Sequence, residues 1–309
     1  MTTPAEERFA ALAAQPLRDM APPSGMLRAA LDSVKDIWAH RHLLNLLTRR
    51  EIRAKYKDSV LGLVWSLARP LVMLFIYYLV LGKFLGAARG VPGFAIYVYT
   101  GLCLWGLFQE IVMVGTVSVL ANNGIVKKVK LPREVFPLAS VGSALFNFAI
   151  QFVILLVFVL ATGGFAADLP AGRWTYLPLS VLVVLVWGVA FALFLSAANV
   201  YLRDIQYLVE VVLMIGMWIT PVLYSWQMVR NVTSQYGGLG RFFEQLYLAN
   251  PVGTGVMGLQ QVMWRYAGGV EYPAHFVARL VTALGAGLVA VCLAEFAFNR
   301  LQRNFAQEM

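Results

Sequence analysis

In this sequence the residues able to do chemistry stand out because polar groups are rare along its long apolar runs. Glu110 lies mid-run, beside Gln109, and Arg69 lies in an earlier run, followed by Pro70. A carboxylate in such a place must pair, protonate or face water. An arginine at a bilayer centre costs about 2.5–3.5 kcal/mol on insertion scales. Glu110 therefore reads as a pore-lining or gating group, or as a helix-pairing group joined to Arg69 or a backbone donor. Arg69 is about two helical turns from the end of its run, within snorkelling reach of an interface. Pro70 removes a backbone donor there and can kink the helix. Glu210 and Glu295 lie near run ends, where an interfacial ion pair is the plain reading.

The apparatus of catalysis is missing. The three histidines, His40, His42 and His275, all lie outside the apolar runs. There is no H-E-x-x-H, C-x-x-C or G-x-S-x-G element, and no G-x-x-x-x-G-K-[ST] loop to cradle a phosphate. Cys103 and Cys292 sit inside apolar runs and read as small buried residues rather than a disulfide or metal pair. No catalytic residue, metal or cofactor is expected on this chain.

The elements that must position these residues follow from hydropathy. Of 309 residues 60% are hydrophobic and 13% charged, with a mean hydropathy of +0.69. Soluble domains carry about 25% charged residues. A bilayer crossing needs about 20 mostly apolar residues. The expected spans are about 61–82, 94–120, 135–161, 176–200, 207–224 and 277–298, which makes an all-α membrane protein of six helices. Residues 1–26 read as a flexible tail. From 27 to 60, leucines near helical spacing alternate with basic residues, as in a helix lying in the interface plane. A further apolar stretch, about 246–264, is broken by Asn250, Pro251, Gly253, Gly255 and Gly258. It reads as short re-entrant or interfacial helices within an outer segment of about 240–270. If it crossed, there would be seven spans and the C-terminus would face outward.

The formal charge of +9 is not spread over one face, as nucleic-acid binding would require. Seventeen of the 25 Lys and Arg fall in segments 1–60, 121–134, 201–206 and 299–309, and seven in the alternate segments. That bias predicts that both termini lie on the cytoplasmic side of the membrane. Aromatics are dense near the spans, among them Trp65, Tyr77, Trp105, Trp218 and Tyr224. They read first as interface anchors and packing; an aromatic-lined conduit for sugar rings is the alternative.

Four segments are more specific. They are Arg53-Ala54-Lys55-Tyr56-Lys57-Asp58-Ser59-Val60-Leu61-Gly62-Leu63-Val64-Trp65, the basic run Asn122 to Leu138, Asn199-Val200-Tyr201-Leu202-Arg203-Asp204, and Trp218-Ile219-Thr220-Pro221-Val222-Leu223-Tyr224 with Asn250-Pro251 downstream. In order and spacing, over about 45–300, they resemble the membrane permeases of polysaccharide ABC exporters of the O-antigen, teichoic acid and capsule type. At Arg69 the chain departs from that family, which more often carries a neutral amide. The first forty residues have no family counterpart.

The resemblance implies a homodimer joined by two copies of a separate ATP-binding subunit, which would hold ATP and Mg. It implies a coupling helix in the 121–134 loop, carried by Ile125, Val126, Lys127, Lys128, Lys130, Pro132 and Arg133. An interface helix would meet lipid head groups through Arg49, Arg50, Arg53, Lys55 and Tyr56. A conduit would be lined by Trp65, Arg69, Tyr77, Glu110, Trp218 and Tyr224, with a gate on the outer side. The cargo would be a polymer on a polyprenyl diphosphate, with galactan favoured on texture alone. Permeation of a drug or lipid is the nearest alternative. A membrane glycosyl- or acyltransferase is a remote one, since the outer acids Asp168, Glu244 and Glu271 form no evident site.

Overall fold

The computed structural model describes residues 35–56, 64–84, 86, 90–127, 131–163, 165 and 171–308, and only the backbone of 64–67, 69, 171, 306 and 307. The expected tail over 1–26, the start of the amphipathic segment, the 57–63 lead-in, Lys128, Lys130, Asp168 and the side chains of Trp65 and Arg69 lie outside the described residues. The described chain is helical, without strands. Helix α1 (Arg41–Tyr56) precedes α2 (Val64–Tyr77), which runs on as a π-helical stretch (Tyr78–Phe84). Then come α3 (Phe94–Ala121), the one-turn α4 (Asn123–Val126), α5 (Val135–Ala161), α6 (Tyr176–Tyr201) and α7 (Ile205–Ile219). The remainder is α8 (Trp226–Thr233), α9 (Gly237–Leu248), α10 (Pro251–Met263), α11 (Phe276–Leu301) and the short α12 (Phe305–Glu308).

Among the described residues four helices, α3, α5, α6 and α11, are long and apolar enough to cross a membrane. They match the expected second, third, fourth and sixth spans. The expected first span is one continuous helix over 64–84, about 30 Å long at about 1.5 Å per residue and so close to the hydrocarbon core of about 30 Å. The expected fifth is the shorter apolar helix 205–219, about 22 Å long. α7 stops at Ile219, before the expected 224, because Pro221 forces the preceding Thr220 into extended backbone (ψ 141°).

α6 is the centre of the bundle. It packs on α3, α5, α10 and α11. The α3–α6 contact is close because Gly115 lies against Ala192: a Cβ on Gly115 would fall 2.6 Å from the Ala192 Cβ. One turn away, Gly188 of α6 meets Ile111 of α3. Outward faces stay apolar, with Val153, Val157 and Leu160 on α5 and Val281, Leu288 and Val289 on α11 exposed. A soluble monomer seldom exposes such continuous apolar surface; here a bilayer covers it.

The glycine-broken stretch, about 246–264, holds the end of α9 and the single helix α10. Every residue of α10 from Val252 to Met263 is buried. At 13 residues, about 20 Å, it is too short for a seventh crossing. Its glycines let it approach α6, where a Cβ on Gly258 would lie 2.2 Å from Ser180 Oγ. Its start is set by Asn250, whose Oδ1 accepts from Val252 N and Gly253 N at 3.1 Å each, with Pro251 in the first helical position. Asn250 Nδ2 also donates to Thr220 Oγ1 at 3.3 Å, tying α10 to the end of α7. Replacing Asn250 by Ala should cost about 1 kcal/mol, read as a lower unfolding midpoint of the detergent-purified protein. Asn250→Asp, which keeps the acceptor, should recover most of the loss.

Candidate functional site

α1 runs alongside α5 for two turns. Thr48 Oγ1 donates to Ala139 O at 3.4 Å, and eight residues further along both helices Tyr56 Oη donates to Asn147 Oδ1 at 2.6 Å. Equal spacing on the two chains means the helices run parallel. Gly142 allows the approach, since a Cβ there would lie 2.7 Å from the Thr48 methyl. Arg49, Arg50 and Arg53 of α1 are all exposed; Arg49 bonds Asn45, and Arg50 reaches Asn122 Oδ1. Burial raises the Glu51 carboxyl to about 7, against the lowering effect of Arg50. Its Oε2 has no hydrogen-bond partner among the described residues.

Where α1, α3 and α5 meet, the polar residues converge on Glu110. Lys55 Nζ lies 2.7 Å from Glu110 Oε1, and Asn147 Nδ2 donates to the same oxygen. The Glu110 side chain is 19% exposed and that of Lys55 45%. Of the two readings open for Glu110, the helix-pairing one has the geometry, with Lys55 and Asn147 as partners. The network joins three helices through one carboxylate. It carries no nucleophile, and no group of three or more His, Cys, Asp or Glu fit for a metal occurs among the described residues.

At the same end of the bundle lies the 122–134 loop. Val126 is buried with Leu47 and Val119, and Ile125 packs on that cluster. Asn123, Gly124 and Lys127 face outward. The one-turn α4 therefore has an anchored face and a free, basic face. Asn122 anchors it further by donating to Ser118 O at 2.8 Å. Pro132 is half-buried, and Arg133 turns inward, donating to Gln302 O. Burial, reinforced by the nearby Glu295, lifts the Glu134 carboxyl to about 7, while bonds to its own backbone and to Gln302 oppose the rise.

The opposite end holds the aromatic residues. Trp218 and Tyr224 line one open crevice of about 520 Å³ with Ile219, Met228, Val229 and Tyr247. Tyr224 Oη donates to Trp218 O and Ile219 O at 3.0 and 2.9 Å. The irregular 220–225 segment beside it is held by Gln260 Nε2, which donates to Pro221 O at 2.9 Å, and by Tyr97 Oη, which donates to Tyr224 O at 3.0 Å. Non-helical backbone at such depth needs partners of this kind. Tyr77 is half-buried against the main core and is not among the crevice residues. The expected conduit residues thus fall into separate places, with Glu110 at the α1 junction and Trp218 and Tyr224 at the crevice.

Residues 42–264, most of the chain, match the family described as ABC-2 type transporter. The chain belongs to the ABC-2 type transporter family. It is the membrane-spanning part of a transporter, a permease and not an enzyme. Relatives support the narrower resemblance drawn from the four segments. The O-antigen export system permease protein RfbA of Klebsiella pneumoniae is 25% identical over 86% of this chain and 94% of its own length. The protein of the same name from Myxococcus xanthus is 28% identical over 65% of this chain and 75% of its own.

Sequence reasoning about this ABC-2 permease missed Asn122, Asn147, Gln260 and Gln302. Asn147 carried a signal: it is an amide inside an apolar run, half a span from the loop, as Glu110 is. A search for the partner of Glu110 among such amides would have found it. Gln260 lay in the glycine-broken stretch, where the unpaired carbonyls beside Pro221 called for a donor.

Proposed function

We propose that this chain is the transmembrane subunit of an ATP-driven exporter that moves a lipid-linked polysaccharide out across the bacterial inner membrane. The observation that carries the reading is similarity along nearly the whole length of O-antigen export permeases. The geometry supports it at one place above all. α4 is seated on its buried side by Val126 and Leu47 and offers Asn123, Gly124 and Lys127 outward. A short, firmly seated helix with a free basic face suits docking into a cleft of a separate ATP-binding subunit, two copies of which serve a homodimer. Both termini then lie in the cytoplasm, with α2 and α7 completing six crossings. A second copy of the chain covers α7, whose Leu208, Val211, Val212 and Ile215 are exposed. Arg49 and Arg53 on α1 are exposed, which supports a role in meeting a diphosphate head group. Trp218, Tyr224 and Tyr247 offer ring faces to sugars on the way out.

The test is purification from the native membrane, followed by export of lipid-linked glycan by the reconstituted complex. A stoichiometric ATP-binding subunit is expected, and Lys127→Glu should cut export at least fivefold relative to ATP hydrolysed. A permease that purifies alone and works without an ATPase would refute the reading.

A further inference from the structure

The 122–134 loop has two shoulders, and the second is held by an unexpected element, the turn after α11. Arg133 donates to Gln302 O, and its guanidinium carbon lies 5.5 Å from the centre of the Phe305 ring. The next residue is held by the same turn: Gln302 Nε2 donates to Glu134 Oε1 at 2.7 Å and to Asn299 Oδ1 at 2.5 Å. Phe305 is fully buried, edge-on to Phe298 and Tyr201, with ring centres 5.7 and 6.2 Å away. Tyr201 Oη donates to Leu301 O at 2.7 Å. Carbonyls at a helix end lack intrahelical partners; here Tyr201 caps the one at 301 and Arg133 the one at 302. Two consecutive loop residues, the end of α6 and the end of α11 thus share one small, closely packed joint.

We infer that the turn at 302–305 is a clasp through which the loop moves α6 and α11, and that Arg133 is its positioning residue rather than a docking contact. This rests on the coupling role proposed for the loop. Displacement of α4 by the ATP-binding subunit reaches α1 and α3 through Asn122 and Val126. Apolar packing around Val126 also touches α6 and α11, but the hydrogen-bonded link from the loop to the turn after α11 runs through Arg133 and Glu134. Coupling between distant sites needs a packed path of this kind. The planar guanidinium both bonds the carbonyl and stacks on the ring, so lysine is a poor substitute.

The experiment compares Arg133→Ala, Arg133→Lys, Phe305→Leu and Gln302→Ala with Lys127→Glu in the full permease–ATPase complex reconstituted in vesicles. It reads glycan exported per ATP hydrolysed, together with the amount of ATP-binding subunit retained. Arg133→Ala should retain the subunit and lower export per ATP at least fivefold. Arg133→Lys should recover less than half of that loss, and Gln302→Ala should fall between wild type and Arg133→Ala. If Arg133→Ala does not accumulate as folded permease, Gln302→Ala and Phe305→Leu decide the matter. Normal export per ATP in every clasp variant that assembles, with Lys127→Glu uncoupled, overturns the clasp and leaves the loop's role standing. Normal export in Lys127→Glu as well overturns the loop's role itself. Loss of the ATP-binding subunit from Arg133→Ala alone overturns the positioning role and makes Arg133 a docking residue.

Discussion

Lys55→Glu is expected to reduce export at least tenfold, and the reversed pair, Lys55→Glu with Glu110→Lys, to restore most of it. Lys55 Nζ and Asn147 Nδ2 both bond Glu110 Oε1, and Tyr56 Oη bonds Asn147 in turn. Hydrogen bonds to charged groups contribute about 1.5–3 kcal/mol. The half-exposure of Lys55 puts this one at the lower end. The single reversal does more than delete that bond. It sets two carboxylates face to face beside apolar helices, where charge is poorly solvated. α1 is then pushed off α3 and α5, and the loop loses the support of the neighbouring Arg50–Asn122 contact. In the double reversal the charges attract again, and a flipped Asn147 amide can present its oxygen to the new lysine. Export in vesicles, with cysteine cross-linking between α1 and α5, measures both effects. A double variant no better than the worse single one would mean that Lys55 acts on the head group and not on Glu110.

The second large effect is at the α3–α6 contact. Gly115→Leu should leave little folded permease, and Gly115→Ala should lower the unfolding midpoint by several degrees. Already a methyl on Gly115 would sit 2.6 Å from the Ala192 Cβ and 3.2 Å from its Cα, which is backbone and cannot swing aside. Over-packing of this kind costs about 1–3 kcal/mol, occasionally more. Within a bilayer, close packing is itself a main source of helix association. Gly188 and Ala192, one turn apart on α6, face Ile111 and Gly115 on α3, so the two helices approach over a whole turn. Ala192→Gly makes room for the methyl and should recover at least half of the Gly115→Ala loss, whereas Ala190→Gly should recover nothing. A melt of the four proteins in detergent decides it. Equal midpoints for wild type and Gly115→Ala would show that α3 and α6 are not in contact at this place.

These two sites mark the boundary between what sequence and tertiary structure each decide. Hydropathy is a local sum, so the amino-acid order alone determined the all-helical membrane class and the limits of α3, α5, α6 and α11 within three residues. The missing nucleophile, histidine and phosphate-loop patterns point away from an enzyme, and the four ordered segments point to polysaccharide permeases, from the sequence alone. The length of α7 was less legible, because Thr220 leaves the helix ahead of Pro221.

Which polar residue meets which was decided only by the fold. Residues 55, 110 and 147 are far apart along the chain and meet because α1 runs along α5 at Gly142. Nothing local to Glu110 distinguishes Lys55 from Arg69 as its partner. The same holds for the loop, where Val126 and Arg133 turn inward and Lys127 outward. That division depends on Leu47, Gln302 and Phe305, residues brought to the loop by helices that sequence spacing does not relate to it. Burial and pairing are properties of the assembled surface, and only the packed helices carry them.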